Sequence, residues 1–193
     1  MRGICFIEPM FQKVVTRQKT QTRRLVKINK AINEMFVGWT AFTPAGSFSV
    51  RGIHADGHYG ESFFKMRYKI GDILYLKEPY FRVIDPITGP ETLYKFDGDT
   101  FLKENSGGWK NKLFMPEKYA RYFIEIKALM AHRIDEITNS DAWCEGVSDS
   151  PEYNCVAYFR DVWNKIHKKE GERWEDNPFV FAYKFELTEK PKT

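Results

Sequence analysis

Lys19 and Thr22 stand three residues apart in the run Lys19-Thr20-Gln21-Thr22-Arg23-Arg24. A hydroxyl becomes a useful nucleophile when a neighbouring amine takes its proton, and a lysine serves as that amine once burial lowers its pKa. Side chains three apart face opposite sides of a strand but share one side of a helical turn, so a tight turn of helix-like backbone would pair these two. A carboxylate nearby would orient the amine and carry protons. The same run also reads as a phosphate grip: Arg23 and Arg24 offer forked donors suited to phosphate oxygens, and Lys27 adds a third cation.

Charge along the chain favours an anionic partner. The net charge is +4, but residues 1–30 hold Arg2, Lys13, Arg17, Lys19, Arg23, Arg24, Lys27 and Lys30 against Glu8 alone, a local balance of +7 that leaves the remainder at −3. A basic segment on a slightly acidic body marks a phosphate-bearing partner or a solvated face.

Other residues bear on the chemistry. Glu78 ends a strand just before Pro79, placed either to face the basic cleft and pair with Arg23 or Arg24 or to make a structural salt bridge. His54 and His58 flank Asp56, but Gly57 and Gly60 make the stretch a loop and no paired Cys-x-x-Cys accompanies it, so no metal is expected. No phosphate-cradling glycine loop or dinucleotide fingerprint occurs, so no cofactor is expected. Phe159 and Trp163 at helical spacing read as core, whereas Trp109, Trp143 and Trp174 lie in polar segments and are the candidates for stacking on a base.

The elements that must position these residues alternate irregularly. A strand is expected at 3–7, a helix at about 9–17 with Met10 and Val14 inward and Lys13 and Arg17 outward, and then, because Lys19 to Arg24 holds no apolar residue, a surface turn or loop. Strands follow at 36–42 and 48–53, joined by a turn, with a loop over His54 to Glu61. Further strands fall at 70–77, 91–96 and 121–127, with an exposed polar excursion at 101–112. Thr138 and Asp141 form a capping-box pattern for a short helix closed by Gly146. Ser150-Pro151 offers a start for a helix to about 168, with Val156, Phe159, Trp163 and Ile166 on one face, and FVFAYKFEL after Asn177-Pro178 is a strand.

Many strands, few helices and no βαβ alternation predict an α+β or barrel fold. At 193 residues with 42% apolar composition, the chain suits a single domain able to bury a core. No apolar run nears the roughly 20 residues of a membrane span, and Glu8 and Pro9 interrupt the N-terminal apolar stretch before it could form a signal peptide. Three widely spaced cysteines, Cys5, Cys144 and Cys155, suit reduced thiols. A cytoplasmic protein without membrane contact is expected.

In this order, KTQTRR at 19–24, GDILYLKE at 71–78, MPEKYARYFIEI at 115–126, ITNSDAWCEGV at 137–147 and NPFVFAYKFEL at 177–187 resemble the blocks of ASCH-domain proteins, most closely the longer bacterial and phage type. The resemblance spans nearly the whole chain. It implies an α+β, PUA-like mixed β-barrel with flanking helices, formed by residues 1–193 as one domain with insertions at about 30–60 and 82–112, and a cleft beside KTQTRR. Small ASCH amidohydrolases deacetylate N4-acetylcytidine with a lysine, a threonine and a glutamate. Matched block to block, these fall on Lys19, Thr22 and Glu145, with Arg23, Arg24, Lys27 and Glu78 as candidates for binding. The sequence departs from the pattern at Arg17, where the family usually has glycine. Other members bind or cleave RNA, so the implied partner is RNA or a modified nucleoside.

Overall fold

A computed structural model describes residues 1–27, 36–42, 47–53, 58–97, 108–147 and 154–191. In chain order its elements are β1 (Arg2–Cys5), α1 (Glu8–Val15), β2 (Gln21–Leu25), β3 (Phe36–Phe42), β4 (Ser47–Ile53), β5 (Tyr59–Lys65), β6 (Ile73–Lys77), β7 (Tyr80–Asp85), β8 (Gly89–Tyr94), β9 (Phe123–Arg133), α2 (Asn139–Cys144), α3 (Cys155–Ile166) and β10 (Phe179–Thr188). The class is α+β: a five-stranded sheet in the order β1-β6-β9-β10-β2, a three-stranded sheet β3-β4-β5 and a hairpin β7-β8, with few helices. Among the described residues no helix is long and apolar enough to cross a membrane.

The chain divides into two compact units of interleaved segments, Met1–Gln18, Ile73–Glu125 and Glu186–Thr193 in the first, Lys19–Asp72 and Ile126–Phe185 in the second. In the first, β1 runs parallel to β6, with Ile4 opposite Leu76, and β6 runs antiparallel to the start of β9, with Leu74 opposite Ile124. All four side chains are buried. Helix α1 turns Phe11 and Val14 inward, and Phe11 meets Phe96 edge-on at 4.9 Å. Its end is a Schellman cap: Gln18 N–H donates to Lys13 C=O and Arg17 N–H to Val14 C=O. Arg17 occupies the left-handed position of that cap, at φ 62°. Glycine is usual there because it has no Cβ to crowd the carbonyl.

In the second unit β2 pairs antiparallel with β10, placing Thr22 opposite Tyr183, Arg23 opposite Ala182 and Leu25 opposite Val180. Strand alternation sends Gln21, Arg23 and Leu25 to one face and Thr22 and Arg24 to the other. The first face carries Val180, which joins Ile134, Ile137, Ala142, Cys155, Phe159 and Trp163 in an apolar core, with Leu25 and Trp174 packed against it.

The structure corrects several sequence expectations. The polar run is no surface loop: Gln21–Leu25 is a strand, and Lys19, Gln21, Thr22 and Arg23 are all buried. Tyr59–Lys65, expected to begin as loop, is a strand paired with β4, and Tyr80–Asp85 is a strand that the sequence pattern did not reveal. Helix α3 starts at Cys155 with Asn154 as its cap, its side chain accepting from Ala157 N–H. Residues 148–153, including the expected Ser150-Pro151 start, lie outside the described residues. The inward stripe of α3 is Cys155, Phe159 and Trp163, and Ile166 faces solvent. Of the stretches read as insertions, β3, β4 and the start of β5 lie within 30–60 and most of the β7-β8 hairpin within 82–112. His54, Asp56 and much of the 101–112 excursion fall outside the described residues.

Candidate functional site

The site is built where the start of β2 meets the end of α2, within the second unit. Thr138 caps α2, its hydroxyl oxygen accepting from Asp141 N–H at 3.1 Å. The helix is closed by Gly146, whose φ of 77° lets its N–H reach back to Trp143 C=O at 2.8 Å. That closure fixes Glu145 as the residue that caps the helix after Cys144. Thr20 N–H then donates to Cys144 C=O at 2.9 Å, tying the approach to β2 onto the helix end.

Lys19 Nζ donates to Glu145 Oε2 at 2.6 Å and to Glu145 C=O at 2.7 Å. Arg23 takes the other carboxylate oxygen, Nη1 to Oε1, at 3.1 Å. A second carboxylate completes the cluster: Asp141 accepts from Gln21 Nε2 at 2.9 Å and lies 3.6 Å from Arg23 Nη2. The side chains of Lys19, Arg23 and Glu145 are 4%, 1% and 5% exposed. Two cations and two anions thus balance, three of them nearly closed to water and Asp141 at the edge, which is what permits ionised groups there at all.

Burial sets the electrostatics. It pulls the Lys19 ammonium below the usual lysine range against the attraction of Glu145, and Arg24 and Arg23 pull the same way. Lys19 therefore feels cations from both faces of β2. For Glu145 burial acts upward, but the charges of Lys19 and Arg23 outweigh it and hold the carboxyl below its ordinary range. Asp141 is likewise held low, burial being overcome by its hydrogen bonds from Gln21 and Thr138 and by the Arg23 charge.

The structure brings Lys19 and Glu145 into contact and adds Arg23 to them. Thr22 is buried in β2 on the face opposite Gln21 and Arg23, so Lys19 and Thr22 are not paired by a helix-like turn. Arg24 is half-buried on the Thr22 face, and Lys27 is exposed. Glu78 belongs to a different cluster in the first unit. There Arg121 holds it in a fork, Nε and Nη2 each 2.8 Å from a carboxylate oxygen, and also grips Asp97. It is the structural salt bridge among the two readings of Glu78, made with Arg121 rather than with Arg23 or Arg24. Trp174 packs on the core and meets Phe159 edge-on at 6.3 Å, so it is no free stacking platform, whereas Trp143 is 37% exposed.

Sequence reasoning missed the tie between Arg23 and Glu145 and the part played by Gln21 and Asp141. The signal was there in part: four polar residues in a row demand buried partners if they form a strand, and Asp141 and Glu145 sit one helical turn apart.

No family model matches the chain, and no curated protein matches its sequence. Among solved structures, protein EF3133 from Enterococcus faecalis V583, of family DUF984, aligns with a TM-score of 0.44 at 9% identity. The alignment covers 92% of this chain, which spans 66% of the length of that one.

Proposed function

We propose that this chain is an ASCH-type, PUA-like protein that recognises modified nucleosides and hydrolyses an acyl amide on a cytidine-like base. The observation that carries the reading is the buried contact between Lys19 and Glu145, 126 residues apart in sequence and 2.6 Å apart in space. Both belong to the trio that the family resemblance singles out, and Thr22, the third, lies on the strand that begins beside Lys19.

The chemistry follows from that contact. Burial loosens the Lys19 proton, and passing it along the hydrogen bond to Glu145, against the cations that hold that carboxyl ionised, turns the ion pair into a neutral amine and a carboxylic acid. The amine, swinging from Glu145 to the Thr22 hydroxyl, then accepts its proton as the hydroxyl oxygen bonds to the acyl carbon. The carbon–nitrogen bond breaks as Lys19 returns that proton to the exocyclic nitrogen, leaving an acyl ester on Thr22. Water adds to the ester, giving a proton to Lys19, and the carboxylic acid leaves as Thr22 recovers its hydrogen.

Incubation with N4-acetylcytidine tests this reading by release of acetate. Turnover that disappears in Thr22→Ala and Lys19→Met supports it, and equal turnover in Thr22→Ala removes the nucleophile. The other reading, a non-catalytic RNA-binding module or a ribonuclease, draws on the half-buried Arg24 and exposed Lys27 of the basic segment. Binding or cleavage of single-stranded RNA without nucleoside turnover would favour it.

A further inference from the structure

Acyl transfer needs more than a nucleophile and a base, because the carbonyl oxygen gains negative charge as the tetrahedral intermediate forms and must be met by hydrogen-bond donors. Thr22 is spent as the nucleophile, and Lys19 and Glu145 are engaged in moving protons, so a further donor is needed for that oxygen. Resting on the amidohydrolase reading above, we propose that Tyr183 is a further catalytic residue, its phenolic O–H donating to the oxyanion that forms when Thr22 attacks.

Register puts the phenol in place. Tyr183 is the direct cross-strand partner of Thr22 in the β2–β10 ladder. Phe185 N–H donates to Thr20 C=O and Val26 N–H to Phe179 C=O, and in an antiparallel ladder such pairs alternate, so Thr22 and Tyr183 are a hydrogen-bonded pair with Cα atoms about 5.5 Å apart. Paired residues point to the same side of the sheet. The tyrosine therefore shares the face of Thr22, and Arg24 opposite Phe181 is its next neighbour on that face.

The hydroxyl is also unspent. Tyr183 is fully buried, and its oxygen has no hydrogen-bond partner. The backbone N–H groups of Tyr68 and Arg67 lie close enough to bias that oxygen, and as donors neither of them accepts the O–H proton. The ring itself is held, with Tyr68 edge-on at 5.4 Å and Phe181 at 6.1 Å. Burial pushes the phenol up to about 12, so it keeps its proton as a donor across the range in which the protein would work. An orphaned buried hydroxyl destabilises a fold, and phenylalanine would fill the same space without that cost. A hydroxyl held in this way suits a reaction better than a core.

Tyr183→Phe, assayed on N4-acetylcytidine, is the test. The donor role predicts a fall in kcat on the order of 100-fold or more with KM little changed, together with a melting temperature equal to or above the wild type. Should the phenylalanine variant misfold, 3,5-difluorotyrosine at position 183 decides instead: its more acidic phenol must bring the alkaline loss of kcat to lower pH. Wild-type turnover matched by Tyr183→Phe, or an unmoved alkaline limb, overturns the donor role alone. A wild-type protein that does not deacetylate N4-acetylcytidine overturns the amidohydrolase reading, and the donor role falls with it.

Discussion

Lys19 and Arg23 divide the carboxylate of Glu145 between them, Lys19 on Oε2 at 2.6 Å and Arg23 on Oε1 at 3.1 Å. Removing the shared anion leaves two buried cations with a single remaining carboxylate, Asp141, at 3.6 Å from Arg23. Glu145→Ala should therefore destabilise the protein by about 3–5 kcal/mol, the range for breaking a buried pair from one side. Urea denaturation measures it. Adding Lys19→Met to Glu145→Ala should recover part of the loss, and a double variant no more stable than the single one would show that Lys19 does not depend on Glu145.

Acid should undo the same contact. The Glu145 carboxyl is held below its ordinary range, so its stabilising contribution is fully present above the ordinary value near 4.3 and is lost as pH falls through the depressed one. Lys19 acts with the same sign in a higher window: its pKa is lowered by burial, so between that value and the usual 10.5 the unfolded chain holds a proton that the folded chain has released, and stability again rises with pH. Denaturation midpoints of the wild type should drop more steeply below pH 4 than those of Glu145→Gln, which has no carboxyl to protonate. Parallel acid profiles would contradict the assignment.

Arg17 should be replaceable with profit. Its left-handed conformation at φ 62° costs an L-residue roughly 1–2 kcal/mol, and glycine escapes that strain while losing about 0.5–1 kcal/mol through the freer unfolded chain. Arg17→Gly should gain up to about 1 kcal/mol, seen as a rise of about 2–4 °C in melting temperature. A decrease would mean that the exposed arginine makes a contact worth more than the strain.

Salt dependence of RNA binding should report the burial of Arg23. Three phosphate contacts would give a log–log slope near −2, but a guanidinium 1% exposed and committed to Glu145 leaves at most Arg24 and Lys27, for about −1.4 at roughly −0.7 each. Arg23→Ala should lower stability and leave the slope as it was. A flattened slope in that variant would show Arg23 reaching phosphate.

Strands with an apolar signature were legible in the sequence, as were the Thr138 cap and the Gly146 stop, because each depends on a few adjacent residues. Phe179–Thr188 and Phe123–Arg133 stand out by composition, and Phe36–Phe42 with Ser47–Ile53 by the turn-forming residue types between them in the sequence. Gln21–Leu25 was not legible for a physical reason. Hydropathy assumes that polar residues seek water, whereas these find their partners in Asp141 and Glu145, more than a hundred positions away. The pairing of Lys19 with Glu145 came only through family resemblance, since no local rule brings those two together. Tyr183 had no signal of its own: its place opposite Thr22 is a matter of register, which the pattern of one strand does not fix.

The distance along the chain between β2 and α2 sets an order of events during synthesis. At about 5–20 residues per second, the ribosome needs roughly 6–25 s to add the 126 residues that separate Lys19 from Glu145. Over that interval Lys19 and Arg23 have been made and the carboxylates that meet them in the fold, Asp141 and Glu145, have not. β10, the ladder partner of β2, emerges later still. The buried cluster thus cannot close until Glu145 has been made, and β2 gains its ladder partner only once β10 follows.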